Sequence, residues 1–226
     1  MELLTRKKKD SGSQLIAIDR KNKQGSEQFR AIRSNLNFFS VNKNLKTLAV
    51  SSPSSGDGKT MTASNLAIVF RQEGKEVLLV DTDLRKPSIH QTFDVPNNYG
   101  LSHHLLGEMK VEDIITTSYL TSVDIITSGL IPPNPSEMLS SPQMTEFIET
   151  VKEMYDIVIF DTPPILVVTD ATIVANKCDG ALLVVRHKKN ELSQVERARD
   201  QLKNADAHLI GAVFNGPKVP KEAYYY

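Results

Sequence analysis

A chain of 226 residues, 40% of them hydrophobic, is long enough for one α/β domain with a sizeable core. Its 27 basic and 27 acidic residues balance, which removes any general electrostatic case for a nucleic-acid partner. The single cysteine, Cys178, excludes an internal disulfide, and no apolar run approaches the ~20 residues needed to cross a bilayer, so a cytoplasmic chain that does not anchor itself is expected.

Residues 1–25 read as a polar, flexible arm with a basic cluster from Arg6 to Lys9 and no apolar stretch behind it. From Ser26 to Phe38 the spacing of Phe29, Ile32 and Leu36 predicts a helix. Leu45–Ser51 reads as a short buried strand. Met61–Arg71 follows as a helix with an apolar stripe of Ala63, Leu66, Ala67 and Phe70, and Val77–Val80 as the next strand. Between 84 and 145 the pattern is less regular. It holds short helices around Ser102–Leu106 and Val111–Ile115, a strand at Val123–Ile126, and a proline-rich break from Pro132 to Pro135. Asp156–Phe160, Ala181–Val185 and Leu209–Phe214 are apolar strands, with helices at Asp170–Lys177 and Glu191–Asn204 between them. Apolar strands alternating with helices predict an α/β fold: one domain over 26–219, built on a mostly parallel sheet with helices on both faces. Residues 220–226 form a tail. In such a sheet, ligands bind at the carboxyl ends of the strands, so the polar residues there are the candidates for chemistry.

Three strand ends carry them. The first strand runs into Ser51-Ser52-Pro53-Ser54-Ser55-Gly56-Asp57-Gly58-Lys59-Thr60 and then a helix. Gly56 and Gly58 let the backbone turn tightly and approach an anion, and the helix start offers unpaired N–H groups. Lys59 can reach the β- and γ-phosphates of ATP, and the Thr60 hydroxyl can ligate Mg²⁺. Asp57 and Met61 flank these positions. The strict G-x-x-x-x-G-K-[ST] pattern asks for glycine where Pro53 stands, so this is a deviant phosphate loop of the P-loop NTPase kind. The second strand is followed by Asp81-Thr82-Asp83-Leu84-Arg85 and the Asp156–Phe160 strand by Asp161-Thr162-Pro163-Pro164. Carboxylates there can hold Mg²⁺ directly or through its waters, and one more can take a proton from an incoming hydroxyl.

These motifs resemble the bacterial tyrosine kinases of capsule and exopolysaccharide synthesis, over nearly the whole chain. The family's deviant Walker A loop is matched by SSGDGKT, its D-x-D-x-R motif by Asp81, Asp83 and Arg85, and its Walker B strand by IVIFDTPP. Its GLIPPNPSEMLSS-like segment lies at Gly129–Ser141, and its E-x-x-R-x-x-R motif at Glu27, Arg30 and Arg33. Tyr224, Tyr225 and Tyr226 resemble its phosphorylated cluster. Ser55 departs from the family's usual proline, and the tail is shorter than many.

The resemblance implies an ATP-dependent protein-tyrosine kinase that phosphorylates its own tail. Lys59 and Thr60 are then the phosphate and magnesium ligands. Asp83 and Asp161 hold magnesium, mostly through water, and Asp81 deprotonates the tyrosine. Asn215, ending the last strand, is a candidate adenine contact. The implied partners are further copies of the chain in a ring, a transmembrane activator of the polysaccharide co-polymerase type that recruits it to the inner face of the membrane, and a cognate phosphotyrosine phosphatase. Glu27, Arg30 and Arg33 would share one face of the first helix. One glutamate cannot neutralise two arginines, so acceptors from a second subunit are expected. Two other readings stay open: a nucleotide-switched partitioning ATPase, whose signature lysine is replaced here by Ser54, and a regulatory subunit that binds nucleotide without catalysis.

Overall fold

The computed structural model describes residues 15–43 and 45–216, so the basic cluster at Arg6–Lys9 and Tyr224–Tyr226 lie outside the described residues. Three strands are buried at every position: β1 (Thr47–Ser51), β2 (Val77–Asp81) and β5 (Ile157–Asp161). Strands buried on both faces need cover on both sides, and that sets the architecture. With β3 (Ile115–Thr117), β4 (Asp124–Ile126), β6 (Gly180–Arg186) and β7 (Leu209–Asn215) they form a sheet of order β3-β4-β2-β5-β1-β6-β7. All pairings are parallel except β3 with β4.

Alternate strand residues point to opposite faces and seed two cores. One takes Val80, Phe160 and Leu183 with helices α6 (Pro142–Met154), α7 (Asp170–Lys177) and α8 (Leu192–Asn204). The other takes Val50, Leu79, Ile159 and Val184 with α1 (Lys23–Lys43) and α2 (Lys59–Gln72). Helix α2 is buried continuously from Thr62 to Phe70, not along one stripe, because α1 covers the side that the sheet leaves open. Among the described residues no helix is long and apolar enough to cross a membrane.

The irregular stretch departs most from expectation. The helix expected at Val111–Ile115 is a single 3-10 turn, Glu112–Ile114, that runs straight into β3. Pro135, expected within a break, opens helix α5 (Pro135–Ser140), and Pro142 opens α6. Proline at a first helical position loses no hydrogen bond, because the N–H there has no intrahelical partner. Two short helices complete the set, α3 (Ile89–Phe93) and α4 (Leu101–Leu105).

Candidate active site

Strand order delivers the chemistry. Strand β5 lies between β2 and β1, and Asp81 pairs in register with Asp161 at their carboxyl ends. The phosphate loop leaves β1 on the other side of β5. Side chains tie the strand ends together: Thr82 Oγ1 donates to the Asp161 carbonyl at 2.8 Å, and Ser51 Oγ to the Pro163 carbonyl at 2.8 Å. The loop closes on two glycines with positive φ, 77° at Gly56 and 99° at Gly58. The φ at Gly58 favours glycine, and a Cβ there would also displace the Asn215 side-chain amide.

Lys59 heads the cluster. Its ammonium lies 3.0 Å from Asp83 Oδ2 and 3.4 Å from Asp161 Oδ1, and its side chain is only 11% exposed. Burial alone would lower its pKa, but the charges of Asp161, Asp83 and Asp81 outweigh burial and hold it above its ordinary value. Thr60 Oγ1 donates to Asp161 Oδ2 at 2.6 Å and lies 3.2 Å from Ser88 Oγ. Burial raises the Asp161 pKa, opposed by the Lys59 charge and the Thr60 hydrogen bond. Burial likewise pushes Asp81 up to about 7, with the Asp161 charge adding to it.

Asp81 is fully buried and does not line the cleft. Its Oδ2 accepts the Ser88 and Ile89 amides, each at 3.0 Å, and its Oδ1 accepts the Asp83 amide at 3.2 Å. The cleft, about 560 Å³, is lined by Gly56, Gly58, Lys59, Thr60, Met61, Asp83 and Asn215 among the expected residues. Asp57, Asp81 and Asp161 do not line it, and for Asp57 this corrects its expected place. Its side chain is fully buried and turned away from the cleft, toward Lys189 and Asn190, so only its backbone can meet a phosphate. Arg85 and the Pro163–Pro164 pair, part of the strand-end motifs, also line the cleft, as do Ser88, Lys86 and Arg186, which carry no assigned role in the sequence reading.

Among the described residues no three histidine, cysteine or acidic side chains converge on a direct metal cage. One hydroxyl and two carboxylates, Thr60, Asp83 and Asp161, fit Mg²⁺, which keeps several waters in its shell.

Arg85 anchors the loop that carries Asp83. Its Nε lies 2.8 Å and its Nη2 3.2 Å from the carboxylate oxygens of Asp170, which is fully buried, and Ser136 Oγ donates to the same carboxylate at 2.5 Å. Replacing Arg85 with alanine strands a buried charge. Discounted for the exposed guanidinium, the expected loss is about 2 kcal/mol, or roughly 4–8 °C in melting temperature. Adding Asp170→Asn should recover part of it. Calorimetry checks this, and an unchanged melt of Arg85→Ala would show that the pair contributes nothing.

The Glu27, Arg30 and Arg33 face needs correction. Glu27 and Arg30 pair with each other and are exposed, but Arg33 turns inward. Its Nη1 donates to the Val69 carbonyl at 2.6 Å and its Nε lies 3.6 Å from Glu73, both on or beside α2. Arg33 therefore has acceptors within its own chain, and the charge argument for a second subunit lapses.

A family model described as an AAA domain matches residues 45–209. Tyrosine-protein kinase YwqD of Bacillus subtilis is 43% identical over 222 residues, covering 96% of this chain and 94% of its own. The solved kinase domain of the Escherichia coli tyrosine kinase ETK is 35% identical and superposes with a TM-score of 0.88, over 94% of this chain and 84% of that one. The septum site-determining protein MinD of Pyrococcus horikoshii, solved with Mg-ADP, is more distant: 25% identical, TM-score 0.65, over 75% of this chain and 69% of that one. A P-loop sheet, a lysine set among strand-end carboxylates and these likenesses agree: the chain belongs to the bacterial tyrosine-protein kinases.

Proposed function

We propose that this kinase transfers the γ-phosphoryl group of ATP to tyrosines in its own carboxyl-terminal segment, and that this controls synthesis of a capsular or extracellular polysaccharide. The observation that carries the site is the Lys59 ammonium held between Asp83 and Asp161 at the mouth of a two-glycine loop. The amides of Gly56–Thr60 and the Lys59 head bind the β,γ-phosphates. When bound, Mg²⁺ offsets the charge on those phosphates, and Thr60, Asp83 and Asp161 hold it. The tyrosine oxygen attacks the γ-phosphorus as the bond to the ADP oxygen breaks, and the hydroxyl proton passes to a carboxylate.

Asp81 is that base in our reading, on its place in the D-x-D-x-R motif. Asp83 is the second candidate, because it lines the cleft and Asp81 does not. Asn215 and Met61 form the wall beyond the phosphate loop, where the adenine would lie. A transmembrane partner would bring the kinase to the membrane, and a phosphatase would reset it. Ser54, standing where partitioning ATPases carry their signature lysine, argues against a partitioning role.

The tail is the test. Changing Tyr224, Tyr225 and Tyr226 together to phenylalanine should leave ADP affinity intact and remove about nine-tenths or more of the phosphotyrosine made on incubation with ATP. Strong phosphotyrosine elsewhere would make the tail a bystander. Light scattering on the same samples tests assembly. Several tail phosphates at about −1.5 to −2 charge each should dissociate a ring, so mass should fall on phosphorylation of the parent only.

A further inference from the structure

The phosphate loop is held from behind by residues that the transfer chemistry does not use. Asp57 Oδ2 accepts the Ser54 amide at 2.7 Å and Asn190 Nδ2 at 3.0 Å, and its Oδ1 accepts Lys189 Nζ at 2.9 Å. Lys189 also donates to the Ser55 carbonyl, and Asn215 Nδ2 donates to the Asp57 carbonyl at 2.8 Å. The turn that supplies Lys189 and Asn190 is itself fixed. Asn190 Oδ1 accepts the Arg186 amide at 2.6 Å, and the His187 amide donates to the Asn215 carbonyl at 2.8 Å. Loop, turn and strand end are therefore one hydrogen-bonded unit drawn from distant parts of the sequence.

We infer that Asp57, Lys189 and Asn190 form a brace that keeps the phosphate loop in its nucleotide-receiving shape, with Lys189 a positioning residue for nucleotide binding. Gly56 and Gly58 give the loop little conformational preference of its own, so external ties decide its shape. Asp57 is fully buried, and a buried carboxylate holds its place only while partnered. The lysine stem is 44% exposed, so its removal takes little from the core and acts mainly through Asp57. The same ties join the loop to the Arg186 and Asn215 wall of the cleft.

The inference rests on this loop holding the phosphates of ATP. Its test uses Lys189→Ala, Lys189→Arg, Asp57→Asn and the double variant Lys189→Ala/Asp57→Asn in the full chain. Two quantities are read: affinity for a fluorescent ADP analogue, and initial phosphotyrosine rates across ATP concentrations. Lys189→Ala should weaken ADP binding and raise KM for ATP by about tenfold, with kcat nearly unchanged, and Lys189→Arg should restore most of the loss. In the Asp57→Asn background the alanine change should add little, because both act on one contact. An undiminished further loss in that background would mean that Lys189 grips the nucleotide itself, and would overturn the brace. Unchanged affinity in Lys189→Ala overturns it too, and keeps the test decisive should Asp57→Asn not fold. Lys59→Met separates the two levels. If that variant still phosphorylates, the loop assignment fails. If it is inactive while Lys189→Ala is silent, only the brace fails.

Discussion

Lys59→Met should lower autophosphorylation by about two to three orders of magnitude, the loss expected when one pre-aimed cation is removed from a transferring phosphoryl group. It should also lower stability, because the Lys59 head is packed between Asp83 and Asp161 and is not free in solvent. Removing one partner of a buried pair costs about 3 kcal/mol, or roughly 6–12 °C in a domain of this size. The sign with pH follows. Without the ammonium, the charged carboxylates are the destabilising species, so the deficit is largest above neutrality and shrinks as acid protonates them. Phosphotyrosine blots and melts at two pH values check both halves, and full activity in the folded variant would remove Lys59 from the mechanism.

Asp81→Asn should abolish phosphotransfer, by about two to four orders of magnitude, while ADP affinity changes little. An amide cannot take the tyrosine proton, yet Asp81 stands behind the cleft wall and does not form part of it. Because burial and the Asp161 charge push Asp81 up to about 7, the parent's kcat should rise as pH increases toward that value and then level off. Asp83→Asn is the control. If it loses activity with the same pH dependence and intact ADP binding, while Asp81→Asn keeps its rate, the base is Asp83.

Legibility followed burial. β1, β2 and β5 are readable because each is a short, mostly apolar run, and the polar residues at their ends follow from the rule for parallel sheets. The helix opening at Pro135 is hidden because proline reads as a breaker unless its place at a helix start is known. Ser88, Arg186, Lys189 and Asn190 carry no spacing signal. They reach the site through a strand order that differs from chain order, and local sequence does not encode that order. Arg33 was misjudged because a helical face can be counted from sequence, but the neighbouring α2 that accepts its hydrogen bond cannot. Asp57 matched the loop pattern by position alone, and its side chain serves the opposite side.

The sheet order also separates what can breathe from what cannot. Transient opening of a sheet starts at its margins, here β3 on one side and β7 on the other. The acids and the root of the phosphate loop belong to β2, β5 and β1, each flanked by strands on both sides. Fraying of β3 leaves their spacing untouched. Fraying of β7 withdraws Asn215 from the Asp57 carbonyl and loosens the hold on nucleotide, again without moving the carboxylates. The spacing of the carboxylates therefore depends on the central strands, the part of a sheet that opens last.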